Sequence, residues 1–193
     1  MNVEITRALR ECATLFERMD IRYVVMGGFA VRAYAMPRPT FDVDFTIGLL
    51  PERLDDLFAA LDALGYTVSE TYRRGWLDRV GGMPLVKARF YVGNAGSYGI
   101  DIDIFLAESP YQQILLTRRQ RGALDDGEEL WFVSAEDLIL LKLIAGRPKD
   151  FLDVADVLFT QGQLDTEYMR RWASEFGVTE RLDDALRSQL DGP

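Results

Sequence analysis

Two short stretches, FDVDFTI and GIDIDIF, constrain this chain more than any other feature of its sequence. Strict alternation of apolar and polar residues is typical of a β-strand, in which successive side chains point to opposite faces of a sheet. Asp42 and Asp44 therefore share one face of the first strand, and Asp101 and Asp103 share one face of the second. If the two strands are neighbours, up to four carboxylates meet on one patch of sheet.

Such a patch is unfavourable by itself, because like charges a few ångströms apart repel and raise one another's pKa. A divalent cation removes that cost, and Mg²⁺ takes oxygen ligands while keeping water and substrate phosphates in its shell. The chain has no histidine and one cysteine, Cys12. His-based zinc sites and Ser-His-Asp or Cys-His catalysis in their common forms are thereby excluded. A bound metal would need oxygen ligands, which favours magnesium or manganese.

A glycine pair stands upstream of the first acidic strand, where the apolar run IRYVVM ends at Gly27 and Gly28. Glycines after a strand let backbone N–H groups approach a phosphate, and the start of a following helix adds favourable potential. Followed at short distance by D-x-D, the pair indicates a phosphate site beside a metal site. Arg38 and Thr40, in RPTFDVD, either steady the intervening loop or approach a triphosphate.

The pattern of apolar residues changes at residue 134 from mainly strands and turns to helices. Before it, we expect a helix over 3–19 and a strand over 21–26. Alternating strands and turn-rich segments such as 92–99 follow, and Asp126-Gly127 predicts a hairpin turn. In the first acidic strand, over 41–47, we expect Phe41, Val43 and Phe45 on the face opposite Asp42 and Asp44. After it, SAEDLILLKLIAG begins with a capping box and opens a series of helices. We expect an α/β unit over 1–133 and a helical region over 134–193.

The net charge of −9 argues against a chain that coats itself in nucleic acid by bulk attraction. Arg118, Arg119 and Arg121 form a local basic run, which indicates either ordinary surface or an RNA contact. No apolar run approaches the roughly 20 residues needed to span a bilayer, and the amphipathic, mixed-charge start is not typical of a signal peptide. We expect no membrane partner and a cytoplasmic location.

The order of strand, glycine pair, short helix, D-x-D strand and later strand aspartate resembles the nucleotidyltransferases of the DNA-polymerase-β type. The segments MGGFAVRAYAMPRPTFDVDF, IDIFLAESPY and AEDLILLKLIAGRPKD are similar to minimal bacterial members, including the AbiEii-type toxins of toxin–antitoxin systems, over roughly residues 21–160. The resemblance implies an α+β fold, with a nucleotidyltransferase-type mixed β-sheet, flanking helices and a C-terminal helical bundle.

The resemblance also implies roles for individual residues in the first half of the chain. Gly27 and Gly28 match the glycine motif that meets the nucleotide phosphates. Asp42 and Asp44 match the two metal-binding aspartates, for Mg²⁺ or Mn²⁺. Asp103 matches the third carboxylate, a metal ligand that also activates the acceptor hydroxyl. The neighbouring Asp101 faces the same way and competes with Asp103 for that role.

A second element lies near the break in the helical region. Lys142, Arg147, Lys149 and Asp150 match the Lys…Arg-x-Lys-Asp element of the AbiEii-like group, in which the basic residues contact triphosphate or acceptor and the aspartate orients them. Two alternatives stay open. Lys142, among leucines, could extend its ammonium to the surface, and the other three residues could form a helix-end cluster with a capping acid.

The function that follows from the resemblance is transfer of NMP from an NTP to an acceptor hydroxyl on RNA, such as a tRNA end, or on protein. The same resemblance suggests a toxin of a toxin–antitoxin system, with a cognate antitoxin or toxin as partner. Two alternatives remain: a non-catalytic or antitoxin-like binding module of the same fold, and a nucleotidyltransferase that modifies a small molecule such as an antibiotic.

Overall fold

The computed structural model describes residues 3–92, 98–124 and 126–190, which form one mixed sheet with helices around it. The strands are β1 (Arg22–Met26), β2 (Asp42–Gly48), β3 (Tyr66–Val68), β4 (Asp78–Val80), β5 (Met83–Val92), β6 (Tyr98–Leu106), β7 (Gln120–Ala123) and β8 (Glu129–Phe132). The helices are α1 (Val3–Arg18), α2 (Gly27–Tyr34), α3 (Leu54–Ala63), α4 (Glu70–Arg73), α5 (Pro110–Thr117), α6 (Ala135–Ala145), α7 (Pro148–Thr160), α8 (Thr166–Glu175) and α9 (Thr179–Leu190).

The strand order is β3-β5-β6-β2-β1-β8-β7, and β4 pairs with β5 outside this path. The β2–β6 and β1–β8 pairs are parallel, and the other pairs are antiparallel. The predicted mixed sheet with flanking and C-terminal helices is therefore confirmed. Because β2 and β6 are direct neighbours, the condition for the four strand aspartates to meet is fulfilled.

The buried face of β2 packs against α1. Phe45 lies edge-on to Phe16 with ring centroids 5.0 Å apart, and Tyr23 of β1 lies 5.9 Å from Phe45. Val43 and Phe45 are fully buried and alternate with Asp42 and Asp44, so they share the opposite face as predicted. The prediction for Phe41 was wrong, because β2 begins only at Asp42 and Phe41 stays in the preceding loop with 71% of its surface exposed.

Helix α6 is the centre of the C-terminal helices. Its leucines at 138, 140 and 143 are fully buried, since helices pack on it from several sides and its apolar residues are not confined to one stripe. The hydroxyl of Ser134 accepts a hydrogen bond from the backbone N–H of Asp137, which confirms the predicted helix start. Gly146, in the left-handed conformation with φ of +64°, ends the helix.

The predictions for the remaining helices and turns are only partly confirmed. The hairpin between β7 and β8 is confirmed, with Gly127 at φ of +87° in its turn. Helix α2 begins at Gly27, immediately after β1, and α4 was not predicted from the sequence. Of the turn predicted over 92–99, residues 93–97 lie outside the described part of the chain. Among the helices that the structure describes, none is long and apolar enough to cross a membrane.

Candidate active site

A cleft of about 360 Å³ opens on the face of the sheet that carries the aspartates of β2. It is lined by most of the residues predicted for the site, namely Gly27, Gly28, Arg38, Asp42, Asp44, Asp103, Lys142, Arg147 and Lys149. An apolar wall that includes Val80, Met83 and Leu141 completes it. Thr40, Asp101 and Asp150 are not among its lining residues. The structure therefore brings together residues that are more than 100 positions apart in the chain.

The glycine turn lies directly against the first D-x-D strand. Met26, the last residue of β1, is the register partner of Asp44. Gly27 follows with φ of +63°, and a Cβ atom built on it would lie 1.8 Å from Asp44 Oδ2. A side chain at this position would collide with the carboxylate and would strain the backbone. Glycine is thus required at Gly27 by the close approach of Asp44.

The second glycine has a different neighbour. A Cβ atom on Gly28 would lie 2.5 Å from the hydroxyl of Thr40. That hydroxyl donates a hydrogen bond of 3.1 Å to Asp42 Oδ1. Thr40 therefore acts on the site through Asp42, and the loop that carries it packs closely on the start of α2.

Asp42 and Asp44 have no basic side chain in ion-pair contact within the described residues, although five cations line the same cleft. Burial raises the pKa of Asp44 to about 7; the carboxylates of Asp42 and Asp103 add to the rise, whereas Lys142 and Arg147 oppose it. When ionised, the carboxylates of the first acidic strand thus carry negative charge that no ion pair of the described residues neutralises.

The second acidic strand is paired throughout with bases on β5. Asp103 is the register partner of Asp44 on β6, and Asp101 is the partner of Asp42. Lys87 donates to both oxygens of Asp103, at 2.8 and 2.7 Å. Arg89 donates to both oxygens of Asp101, at 2.6 and 2.8 Å. Of the two competitors for the third carboxylate, only Asp103 lines the cleft.

The donor set can be compared with what a metal ion needs. Among the residues that the structure describes, no three carboxyl, thiol or imidazole side chains stand ready as a metal site. Asp42 and Asp44 offer hard oxygen donors with uncompensated charge, which suits Mg²⁺ or Mn²⁺. Asp103 faces the same cleft, but both its oxygens are engaged by Lys87. Two of the three predicted ligands therefore have oxygens free of any ion pair, whereas both oxygens of the third are engaged by a lysine.

Three of the basic residues that line the cleft belong to an ionic network centred on two buried aspartates of α7, Asp150 and Asp153. Lys142 contacts Asp150 at 3.2 Å and Asp153 at 2.6 Å, and its side chain is 6% exposed. Lys142 therefore does not extend to the surface. Arg147 donates to Asp150 through Nε at 2.6 Å, and Arg38 donates to Asp153 through Nε and Nη2 at 2.6 and 2.8 Å.

The aspartates of this network hold their charge despite burial. Burial alone would raise the pKa of Asp150, but hydrogen bonds from Arg147 and Lys142 outweigh it and keep the pKa below its usual value. In the same way, Arg38 and Lys142 keep the pKa of Asp153 low against burial. Asp150 also accepts from the backbone N–H of Arg147 at the start of α7, so it caps the helix and orients two cations at once.

Sequence reasoning missed two residues of this arrangement. Asp153 follows Asp150 by three positions and so lies on the same face of α7, which is a signal that could have been used. Lys87 alternates with Arg89 in β5, a pattern that matches the alternation of Asp101 and Asp103. Only the antiparallel register of β5 and β6 reveals that the two patterns face each other.

The basic run before β7 is largely satisfied within the protein. Arg118 pairs with Glu136 and lies over the ring of Tyr168, 3.9 Å from its centroid. Arg119 and Arg121 both lie 4.2 Å from the ring centroid of Trp131. These contacts support the interpretation of the run as part of the protein surface.

The family model described as "Nucleotidyl transferase AbiEii toxin, Type IV TA system" matches residues 7–189. The chain belongs to the AbiEii nucleotidyltransferase toxin family. The expected resemblance is thereby confirmed, and the protein is a nucleotidyltransferase that moves a nucleotidyl group from an NTP to an acceptor. This finding weighs against the alternative of a non-catalytic module. No curated protein sequence matches the chain.

Solved structures similar to this AbiEii family member share its fold at low sequence identity. An antigenic nucleotidyltransferase-like protein from Paracoccidioides brasiliensis aligns with a TM-score of 0.56 and 18% identity, over 97% of this chain and 94% of that one. ANT(2")-Ia in complex with adenylyl-2"-tobramycin aligns with a TM-score of 0.56 and 16% identity, over 91% and 97%. Lincomycin-bound LnuA, a lincosamide antibiotic adenylyltransferase, aligns with a TM-score of 0.50 and 14% identity, over 80% and 97%.

Proposed function

We propose that this family member uses a divalent metal to transfer NMP from an NTP to a hydroxyl of RNA, such as a tRNA end, or of protein. The acceptor oxygen forms a bond to the α-phosphorus, the bond from that phosphorus to the pyrophosphate oxygen breaks, and the hydroxyl proton passes to a carboxylate. Pyrophosphate leaves. The products balance the reactants without any further co-substrate.

One observation carries this proposal. Asp42 and Asp44 lack a basic partner in the described residues, yet they lie across the cleft from Lys142, Arg147 and Lys149. The cleft therefore has an unneutralised acidic side and a basic side. A metal–triphosphate complex has the complementary distribution of charge, since its cation needs carboxylates and its phosphates need bases.

Each residue has a distinct part in the proposed reaction. Gly27 and Gly28 offer backbone N–H groups to the phosphates at the start of α2, where no side chain caps the helix. Lys149 lines the cleft and forms no ion pair within the described chain, so its ammonium is free for a phosphate. Arg38 and Arg147, held by their aspartates, add positive charge of fixed position.

Asp42, Asp44 and Asp103 would hold Mg²⁺ or Mn²⁺. When bound, the metal supplies a Lewis acid that stabilises the charge developing on the phosphoryl oxygens. Asp103 would also receive the acceptor proton. Burial raises the pKa of Asp103 against the opposing effect of Lys87, which makes this carboxylate a better base than an exposed one.

The family assignment extends the proposal to the biological role. A type IV toxin–antitoxin family implies an antitoxin partner. We infer that this chain is the toxin of such a pair and that it acts in the cytoplasm, where NTPs and tRNA are available. Its acidic net charge of −9 means that an RNA acceptor would be recognised locally, near the basic side of the cleft.

Label transfer tests the reaction. The protein is incubated with each α-labelled NTP, Mg²⁺ or Mn²⁺, and either total RNA or total protein, and the fractions are then separated. We expect label from a preferred NTP in one macromolecular fraction, no transfer by Asp44→Ala, and normal transfer by Asp101→Ala, whose carboxylate lies outside the cleft. A labelled product distinct from the NTP that forms only when an antibiotic with free hydroxyls is added would favour the antibiotic-type alternative. Transfer that persists in Asp44→Ala would overturn the proposed site.

A further inference from the structure

The ion pairs between β5 and β6 repeat the same geometry with two different bases. Lys87 and Asp103 are register partners in the antiparallel pair, and Arg89 and Asp101 are register partners two residues along. Both aspartates are contacted through both oxygens. Only the first of these pairs lines the cleft, through both of its members. A base that the proposed reaction does not use thus holds the carboxylate that the reaction needs.

We propose that Lys87 is an internal counterion that takes the place of a metal at Asp103 and competes with it. This inference rests on the proposed function, because it assumes that a divalent cation binds at Asp42 and Asp44. In the metal-free protein, the ammonium of Lys87 neutralises one carboxylate of the acidic patch and so limits the repulsion among Asp42, Asp44 and Asp103. A metal that recruits Asp103 must first displace the ammonium.

The identity of the base suits an exchangeable role. Lysine carries a compact, strongly hydrated charge on a flexible stem, whereas the planar fork of arginine matches a carboxylate through two fixed hydrogen bonds. The side chain of Lys87 is 46% exposed and that of Asp103 is 18% exposed. The ammonium can therefore leave Asp103 for water or for a phosphate in the cleft without crossing packed protein. Asp103, with less access to water, gains most from a replacement cation.

If Lys87 competes with the metal, a substitution of Lys87 should increase metal affinity, whereas most substitutions in a metal site decrease it. Removing the charge of Lys87 should tighten binding, because a positive charge close to a divalent cation opposes it even through water. The expected gain is about tenfold. Lys87→Met keeps most of the apolar stem and removes only the ammonium. Arg89→Met is the matched control, since it removes the sister ion pair two residues along the same strand and outside the cleft.

Electron paramagnetic resonance of free Mn²⁺ measures the affinity without nucleotide, acceptor or turnover. We expect Lys87→Met to bind Mn²⁺ about tenfold more tightly than the unmodified chain and Arg89→Met to change the affinity by less than about threefold. The double variant Lys87→Met/Asp44→Asn should lose the gain, which assigns it to the acidic patch. Circular dichroism of each metal-free variant verifies that it remains folded.

The remaining outcomes separate the two proposals. Binding that Asp44→Asn abolishes but Lys87→Met does not tighten would overturn the role of Lys87 and leave the metal site intact. Equal tightening by Lys87→Met and Arg89→Met would also overturn it, since a general charge effect would then suffice. Binding that is unaffected by Asp44→Asn in every background would instead overturn the metal site of the proposed function.

Discussion

The two D-x-D strands of this protein look alike in sequence and differ in what neutralises them. On β6, Asp101 and Asp103 each face a base of β5 through two hydrogen bonds. On β2, Asp42 and Asp44 form no ion pair with a base among the described residues, and Asp44 lies against a glycine turn. The β6 pair already has counter-charges from the protein, of which only Lys87 lies in the cleft, whereas the β2 pair is open to a ligand that brings positive charge.

Asp42 of β2 and Asp101 of β6 are register partners, so substituting each in turn gives the sharpest test of the difference between the two strands. We expect Asp42→Asn to lower the rate of label transfer on the order of a thousandfold, because a charge that positions and stabilises the reacting phosphates is lost. Asp101→Asn should change the rate by less than about threefold. Initial rates at saturating NTP give the ratio. Equal losses in both variants would show that the two strands share one role.

The glycine turn is the next point of difference. Ala at Gly27 would strain the backbone by about 1–2 kcal/mol and would push on the carboxylate of Asp44, from which its Cβ would lie 1.8 Å. We expect Gly27→Ala to lower transfer about a hundredfold through the displaced carboxylate.

Gly65→Ala provides the control for backbone strain, since Gly65 has φ of +85° and no atom within 4 Å of the added Cβ. Both variants should lose stability in urea unfolding through backbone strain, Gly27→Ala the more because of the added contact with Asp44, but only Gly27→Ala should lose activity. Retained activity in Gly27→Ala would mean that the close approach of Asp44 is not needed.

The smallest expected effect concerns stability and pH. Burial and like charges raise the pKa of Asp44 to about 7, whereas an unfolded aspartate titrates at about 3.9. Between these values the folded chain binds the proton more tightly, so stability falls as pH rises from about 4 to 7. The loss is on the order of 2 kcal/mol, allowing for partial solvent access.

Urea unfolding of the metal-free protein at several pH values measures this slope. Asp44→Asn should make the slope smaller, and Asp101→Asn should leave it unchanged; the part that remains in Asp44→Asn belongs to groups such as Asp103 and Asp137, whose pKa values burial also raises. An unchanged slope in Asp44→Asn would weaken the contrast between the strands.

Local patterns in the sequence account for much of this site. The alternation around Asp42 and Asp44 was enough to assign both to one face of a strand. The turn at the glycine pair could be predicted because it depends on adjacent residues alone. Phe41 was misassigned because the strand begins one residue later than the alternation. Fold-level information was needed to bring β6 beside β2, and the resemblance to a family supplied it.

Pairings between distant residues could not be predicted in this way. The register of β5 on β6 decides whether Lys87 faces Asp103, and a shift of one residue would send its side chain to the opposite face of the sheet. Arg38 was ambiguous for a similar reason, since its partner Asp153 lies 115 positions away. An ion pair between remote segments leaves no pattern in either segment alone.

The ion pairs of Asp153 with Arg38 and Lys142 have a consequence for the acceptor that the enzyme can bind. They tie the loop before β2 to α6 and α7, which border the cleft, through a carboxylate that is 2% exposed. Moving the loop and the helices apart would leave the buried carboxylate of Asp153 without a counter-charge, at a cost of about 3–5 kcal/mol. We therefore expect this side of the cleft to keep nearly the same shape whichever acceptor binds, so that the acceptor has to fit it.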